Sequence, residues 1–186
     1  LENGDRKAAL KMCDFNNKKP IIMFVGGSLG AQSLNAAVRK NIFALLEKYQ
    51  IIHICGKGQL ADIKRQGYAQ FEFVDKEFND LMAATDVVIS RAGSNAIFEL
   101  LSLKKPMLLV PLPSKSSRGE QSLNAMSFKK HGFADVIKDE DLDVPDLLLS
   151  QIDDLYQKRE DYTQNMQQAE TKQTSSQKLY EAIINE

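Results

Sequence analysis

The sequence predicts an α/β domain built on a parallel sheet with helices on both faces. Three observations carry that prediction. Apolar runs of four or five residues alternate strictly with helical patterns, and no hairpin signal lies between them. Runs such as Ile21-Ile22-Met23-Phe24-Val25 are apolar throughout, the mark of a strand buried on both faces. Two of the runs end in glycine turns that lead at once into a helix, as in Rossmann-like sheets.

Taken in order, residues 5–14 read as a short helix or a linker remnant, followed by the breaker cluster Asn16-Asn17-Lys18-Lys19-Pro20. Ile21–Val25 is the first strand. After the turn Gly26-Gly27-Ser28-Leu29-Gly30-Ala31, the spacing of Leu34, Ala37, Val38, Ile42, Leu45 and Leu46 predicts one helix to about Tyr49. Ile51–Cys55 is the second strand, Gly56-Lys57-Gly58 a turn, and Leu60–Arg65 a short helix. Phe71–Val74 reads as the third strand, Phe78–Ala84 as a helix and Val87–Ser90 as the fourth strand. The turn Arg91-Ala92-Gly93-Ser94-Asn95 opens a helix over Asn95–Leu103, and Met107–Val110 is the fifth strand. A polar loop over residues 111–121 precedes a helix, Gln121–His131, that Gly132 stops. Ala134–Ile137 is the last strand, Val144–Tyr156 a helix, and residues 160–186 one long polar helix with little apolar content.

Composition narrows the function. With 186 residues the chain has room for a buried core. A net charge of −1 lacks the basic face that nucleic-acid binding needs, yet leaves room for a small anion at a helix start. Cys13 and Cys55 are too few for a disulfide framework and read as reduced thiols of a cytoplasmic protein. No apolar run approaches the length of a membrane span.

The chemistry sits in the turns. A strand that turns directly into a helix aims free backbone N–H groups at the helix start, which suits a phosphate. Two such turns at the carboxyl end of one sheet can hold the two ends of a nucleoside diphosphate, and the 111–121 loop lies at that end too. Gly26–Ala31 is no Walker loop, because Gln32-Ser33 stands where Lys-Ser/Thr is required. Gly56–Ala61 matches a loose dinucleotide pattern, but on the second strand and before a very short helix, so it reads as a decoy. Asp141-Leu142-Asp143 resembles a metal-binding acidic pair, though its place before a helix favours capping; no metal is expected. His53 reads as a packed or edge histidine and His131 as a helix-end residue suited to the dipole. Glu99 has two readings: a carboxylate for a ribose diol, or an acid favoured by the helix dipole.

Together the pieces resemble the C-terminal, donor-binding half of the MurG-type N-acetylglucosaminyltransferases, two-domain inverting enzymes of the GT-B fold. The matching stretches are Gly26–Ala31 with its strand, Cys55–Gly58, Asp86–Ser94 with Glu99, Lys105-Pro106, Val110-Pro111, and Gln121 with Asn124-Ala125. The resemblance implies a UDP-N-acetylglucosamine donor and a lipid-linked muramoyl-pentapeptide acceptor at the cytoplasmic face of the membrane. It also implies the donor contacts: Gly27 and Ser28 at the diphosphate, Val74 with Phe73 near the uracil, and Gly93, Ser94, Asn95 and Ala96 at a phosphate. Glu99 is then the ribose ligand, and Glu120 and Gln121 read the sugar. Ala96 departs from the pattern, since a hydroxyl residue is common there, and Glu120 stands where His or Gln is frequent.

No cofactor is implied, and the general base belongs to an N-terminal acceptor domain outside this sequence. On this reading residues 1–19 are a linker remnant and 20–160 the donor-binding domain. The helix at 161–186 contacts the missing half, and the chain alone binds donor without turnover. A related lipid glycosyltransferase with another UDP-sugar, or a non-catalytic subunit of a split transferase, fits the same residues.

Overall fold

A computed structural model describes residues 4–26, 32–113 and 119–172. In chain order the elements are α1 (Arg6–Cys13), β1 (Ile21–Val25), α2 (Gln32–Lys40), α3 (Ile42–Lys48), β2 (Gln50–Ile54), β3 (Tyr68–Phe71) and α4 (Phe78–Ala84). Then come β4 (Val87–Ser90), α5 (Ser94–Ser102), β5 (Met107–Leu109), α6 (Glu120–Lys130), β6 (Ala134–Val136), a 3-10 turn (Asp139–Asp143), α7 (Leu147–Gln157) and α8 (Arg159–Lys172). The strand order is β3-β2-β1-β4-β5-β6. The predicted α/β class with a parallel sheet is the one observed. Two compact units divide at the end of β4, Leu1–Ile89 and Ser90–Glu186.

In the first unit, β1 and β2 run parallel with Ile21 opposite Gln50 and Val25 opposite Ile54. β2 and β3 run parallel with Ile51 opposite Tyr68 and Ile54 opposite Phe71. Consecutive residues of β1 and β2 are buried, which requires cover on both faces of these strands. Asp86 fixes the start of β1: its Oδ2 accepts from Ile21 N at 2.7 Å, and its own N–H donates to Ile21 O at 2.8 Å. Residues 6–13 take the helical option. Asp5 caps α1 by accepting from Lys7 N, and Arg6 Nη1 donates to Ala84 O at the end of α4.

Three expectations in this unit need correction. The helix after the first turn is two helices, because Asn41 Nδ2 bonds back to Ala37 O and interrupts the pattern. Leu60–Arg65 is not helical; Gln70 holds it as a loop, donating to Ala61 O and Ile63 O and accepting from Ala61 N. The third strand begins three residues earlier than predicted, at Tyr68, and ends at Phe71, so Phe73 lies beyond it and 72% exposed.

In the second unit β5 and β6 run parallel, with Met107 opposite Ala134. Phe128 of α6 is wholly buried and meets Phe98 and Phe133 edge to face, at 5.4 and 5.9 Å between centroids. α6 ends where glycine was expected to end it, with Gly132 at φ +70°. α8 begins at Arg159 as a largely polar helix, yet Met166 is buried and Lys104 pairs with Glu170 at 2.8 Å. The rest of the predicted C-terminal helix, from residue 173, lies outside the described residues.

Candidate functional site

In the second unit the site is built around the turn that follows β4. Gly93 stands at the N-cap of α5 with extended backbone, and no side chain caps the helix there. Ser94 and Asn95 are exposed, Ala96 is half-buried, and Glu99 is exposed one turn further on. An uncapped helix start with its dipole favours an anion. From α6 two amides reach back. Asn124 Nδ2 donates to Ala92 O at 3.2 Å, and Gln121 accepts through Oε1 from Leu112 N at 3.1 Å. Gln121 Nε2 lies 4.0 Å from where a Cβ at Gly93 would stand, so Gly93 and Gln121 are brought together. Glu120 is exposed at the first residue of α6.

The support under this turn was not assigned from sequence. Arg91 is buried, with Nη1 donating to Val110 O at 3.1 Å and to Asp139 Oδ1 at 2.5 Å. Ser90 Oγ donates to Arg91 O. Arg91 thus ties the turn to the end of β5 and to the 3-10 turn. Asp141 and Asp143 lie inside that 3-10 turn rather than at a cap; Asp146 stands at the N-cap of α7. Among the described residues no group of three or more His, Cys, Asp or Glu converges as a metal site would require. His131 donates through Nδ1 to Ser127 O at 2.8 Å, inside its own helix end.

In the first unit Gly27 and Ser28 lie outside the described residues. Gly26, just before them, donates its N–H to Ile54 O at 3.3 Å and so continues the β1–β2 ladder. Val74 is half-buried in a groove of about 480 Å³ that Met12, Phe71, Phe73 and Glu77 also line. No helix follows the Gly56-Lys57-Gly58 turn, and Gly58 N already donates to Glu72 Oε1 at 2.7 Å. The helix start that a dinucleotide site needs is therefore not formed by residues 59–65.

His53 is fully buried at the centre of this unit. Its Nε2 meets Asn35 Oδ1 at 2.8 Å and its Nδ1 meets Tyr68 Oη at 2.8 Å. Since Asn35 Nδ2 is committed to Cys55 O, Oδ1 faces the ring and Nε2 must carry the proton. Burial, with the Arg39 guanidinium acting in the same direction, lowers the His53 pKa to about 4. Burial pushes the Tyr68 hydroxyl up to about 12 and raises the Cys55 thiol.

The depressed His53 pKa fixes a pH dependence. Above pH 6.5 both the folded and the unfolded imidazole are neutral, and the contribution is fully present. As pH falls towards 4 only the unfolded chain takes the proton, so stability is lost through that window. Between pH 7 and 5 the expected loss is about 2 kcal/mol. Urea unfolding of this chain and of His53→Gln at both pH values measures it; a loss of equal size in both proteins would assign it to other groups.

The fold is that of one half of the GT-B glycosyltransferases. The chain shares its fold with the crystal structure of Acinetobacter baumannii MurG, with TM-score 0.66 and 24% identity, over 89% of this chain and 48% of that one. The sequence profile of the glycosyltransferase family 28 C-terminal domain matches residues 21–182, and the chain belongs to that family. Its relatives include the UDP-N-acetylglucosamine–N-acetylmuramyl-(pentapeptide) pyrophosphoryl-undecaprenol N-acetylglucosamine transferase of Clostridium botulinum strain 657. That enzyme is 51% identical over 168 residues, 89% of this chain and 47% of its own length. The enzyme of the same name from Geobacillus kaustophilus strain HTA426 is 48% identical over 171 residues, 91% of this chain and 48% of its own. The chain spans about half the length of the curated relatives it matches.

Proposed function

We propose that this chain is the donor-binding half of an inverting glycosyltransferase that moves N-acetylglucosamine from UDP to a lipid-linked muramoyl-pentapeptide. The observation that carries this reading is identity of about one half to enzymes of that name, across nine-tenths of the chain. The site supports it. The uncapped start of α5 at Gly93, Ser94, Asn95 and Ala96 offers N–H groups to a phosphate. Glu99, exposed one turn in, accepts from the two ribose hydroxyls. Gln121 and Glu120 read sugar hydroxyls, and the exposed Phe73 ring with Val74 receives the uracil. Gly27 and Ser28 are assigned to the diphosphate on the family pattern.

In the transfer the acceptor hydroxyl oxygen attacks the anomeric carbon, and the carbon–oxygen bond to UDP breaks. UDP leaves with the bonding electrons, and the acceptor proton passes to a general base. Charge grows on the leaving diphosphate, where N–H groups held in place stabilise it without reorganising. The base and the acceptor site belong to the half outside this sequence, so the chain alone binds donor without turnover. The acceptor places the complete enzyme at the cytoplasmic face of the membrane; among the described residues no helix is long and apolar enough to cross it.

Thermal unfolding with UDP, UDP-N-acetylglucosamine, UDP-glucose and NADH tests the reading. A ligand at a hundred times its Kd adds about 2.7 kcal/mol, a rise in Tm of about 5–10 °C for a chain of this size. UDP ligands are expected to give that rise, with UDP-N-acetylglucosamine the strongest sugar. A rise with NADH and none with UDP would overturn the assignment.

A further inference from the structure

In the first unit two large apolar side chains that reach the surface line one groove. Met12 of α1 is 40% exposed and Phe73, just past β3, is 72% exposed; Phe71 and Val74 complete the apolar lining of its volume of about 480 Å³. Asp75, Lys76 and Glu77, all exposed, supply its polar side. A lone apolar residue on a surface is ordinary, but two on one groove with a polar edge have the make-up of a small-molecule site. The groove lies where the chain leaves β3, at the end of the strand where ligands of such sheets bind.

α1 puts Met12 there. Ala9 and Cys13 are its buried residues, and Met12 lies three positions after Ala9 on the same side of the helix, yet it stays exposed. The helix is fixed at both ends. Asp5 N donates to Asp80 Oδ1 and Arg6 Nη1 to Ala84 O, both at 2.7 Å, and Phe15 N donates to Leu10 O at 2.8 Å past the last turn. A methionine held over a groove without being packed offers a flexible, polarizable surface to the face of a flat ring. A nucleotide base is such a ring, and any base presents a π-face for stacking. We propose that Met12 is a binding residue of the donor site: with Phe73 it forms the apolar surface that receives the uracil ring of UDP, so that α1, which precedes the sheet, takes part in holding the base. This rests on the donor-site reading above.

The test is methyl NMR of the 186-residue chain, isotopically labelled at its methionine methyls, beside calorimetric titration with UDP. Met12→Leu assigns the Met12 signal by its disappearance. UDP is expected to shift the Met12 methyl through the ring current of the base. Inorganic pyrophosphate, which has no base, is expected to leave it in place. Met12→Ala is expected to raise the Kd for UDP about fivefold, and Met12→Leu, which keeps the apolar volume, to hold it within about twofold. Because Met12 is at the surface, the Tm of either variant should stay within about 2 °C of the parent. A Met12 methyl that saturating UDP does not move would overturn the proposal. So would an equal shift with pyrophosphate, or a Kd for Met12→Ala within about twofold of the parent. Absence of UDP binding by the unaltered chain would show itself in the first titration and overturn the donor-site reading, and the base subsite built on it with it.

Discussion

Glu99→Ala is expected to weaken UDP binding about 100-fold while leaving the fold intact. A carboxylate accepting from two ribose hydroxyls makes two charge-assisted hydrogen bonds, each worth about 1.5–3 kcal/mol. Glu99 is exposed on α5, so solvent competes and the lower end applies, about 3 kcal/mol in all. That is about two decades in Kd. The same exposure means that alanine leaves no cavity and no orphaned partner, so Tm should move by the equivalent of about 0.5 kcal/mol or less. Glu99→Gln, which keeps one acceptor oxygen without the charge, should lose about tenfold. Titration of all three proteins with UDP checks this. A Kd for Glu99→Ala within twofold of the parent would return Glu99 to its other reading, an acid placed for the helix dipole.

Those two readings of Glu99 show where sequence reasoning is strong and where it stops. Strand runs without alternation, Ile21–Val25 and Val87–Ser90, lie where their patterns put them, because burial on both faces leaves a signature in every residue. The turn at Gly93 was legible for a similar reason: strand, small residues and helix are adjacent in the chain. What was not legible depends on partners far away. Nothing near residue 60 announces that Gln70 will hold Ala61 and Ile63 out of a helix. Phe73, an apolar residue in an alternating run, drew the third strand forward, yet its ring is on the surface. The chain Asn35–His53–Tyr68 joins three elements, and His53 alone showed only a histidine among apolar neighbours. For the candidate site, the residues proposed to face the ligand were named from local pattern and family resemblance together. The residues that hold them were not.

Arg91 is the clearest of those supports, and Arg91→Ala is expected to cost about 3–5 kcal/mol of stability. The side chain sits two residues before the N-cap of α5, buried, and bonds Val110 O and Asp139 Oδ1. Its partner carboxylate is only 16% exposed, so truncation takes a charge-assisted hydrogen bond from a poorly solvated group. At about 2–4 °C per kcal/mol for a chain of this length, Tm should fall by roughly 6–20 °C. Asp139→Asn should cost less, since its amide oxygen still accepts from the guanidinium while the charge is gone. Arg91→Lys is not a rescue, because one ammonium cannot reproduce the fork that spans both acceptors. The double variant Arg91→Met with Asp139→Leu separates the terms. Removing both charges should recover most of the lost Tm, because the penalty lies in leaving a poorly solvated carboxylate without the guanidinium. If the single and double variants unfold at the same temperature, the cost lies in the Val110 hydrogen bond and in packing, and the ion pair contributes little. In either case Tm with saturating UDP should fall further than Tm without it, because the Gly93 turn that Arg91 ties to β5 is the one proposed to bind the phosphate.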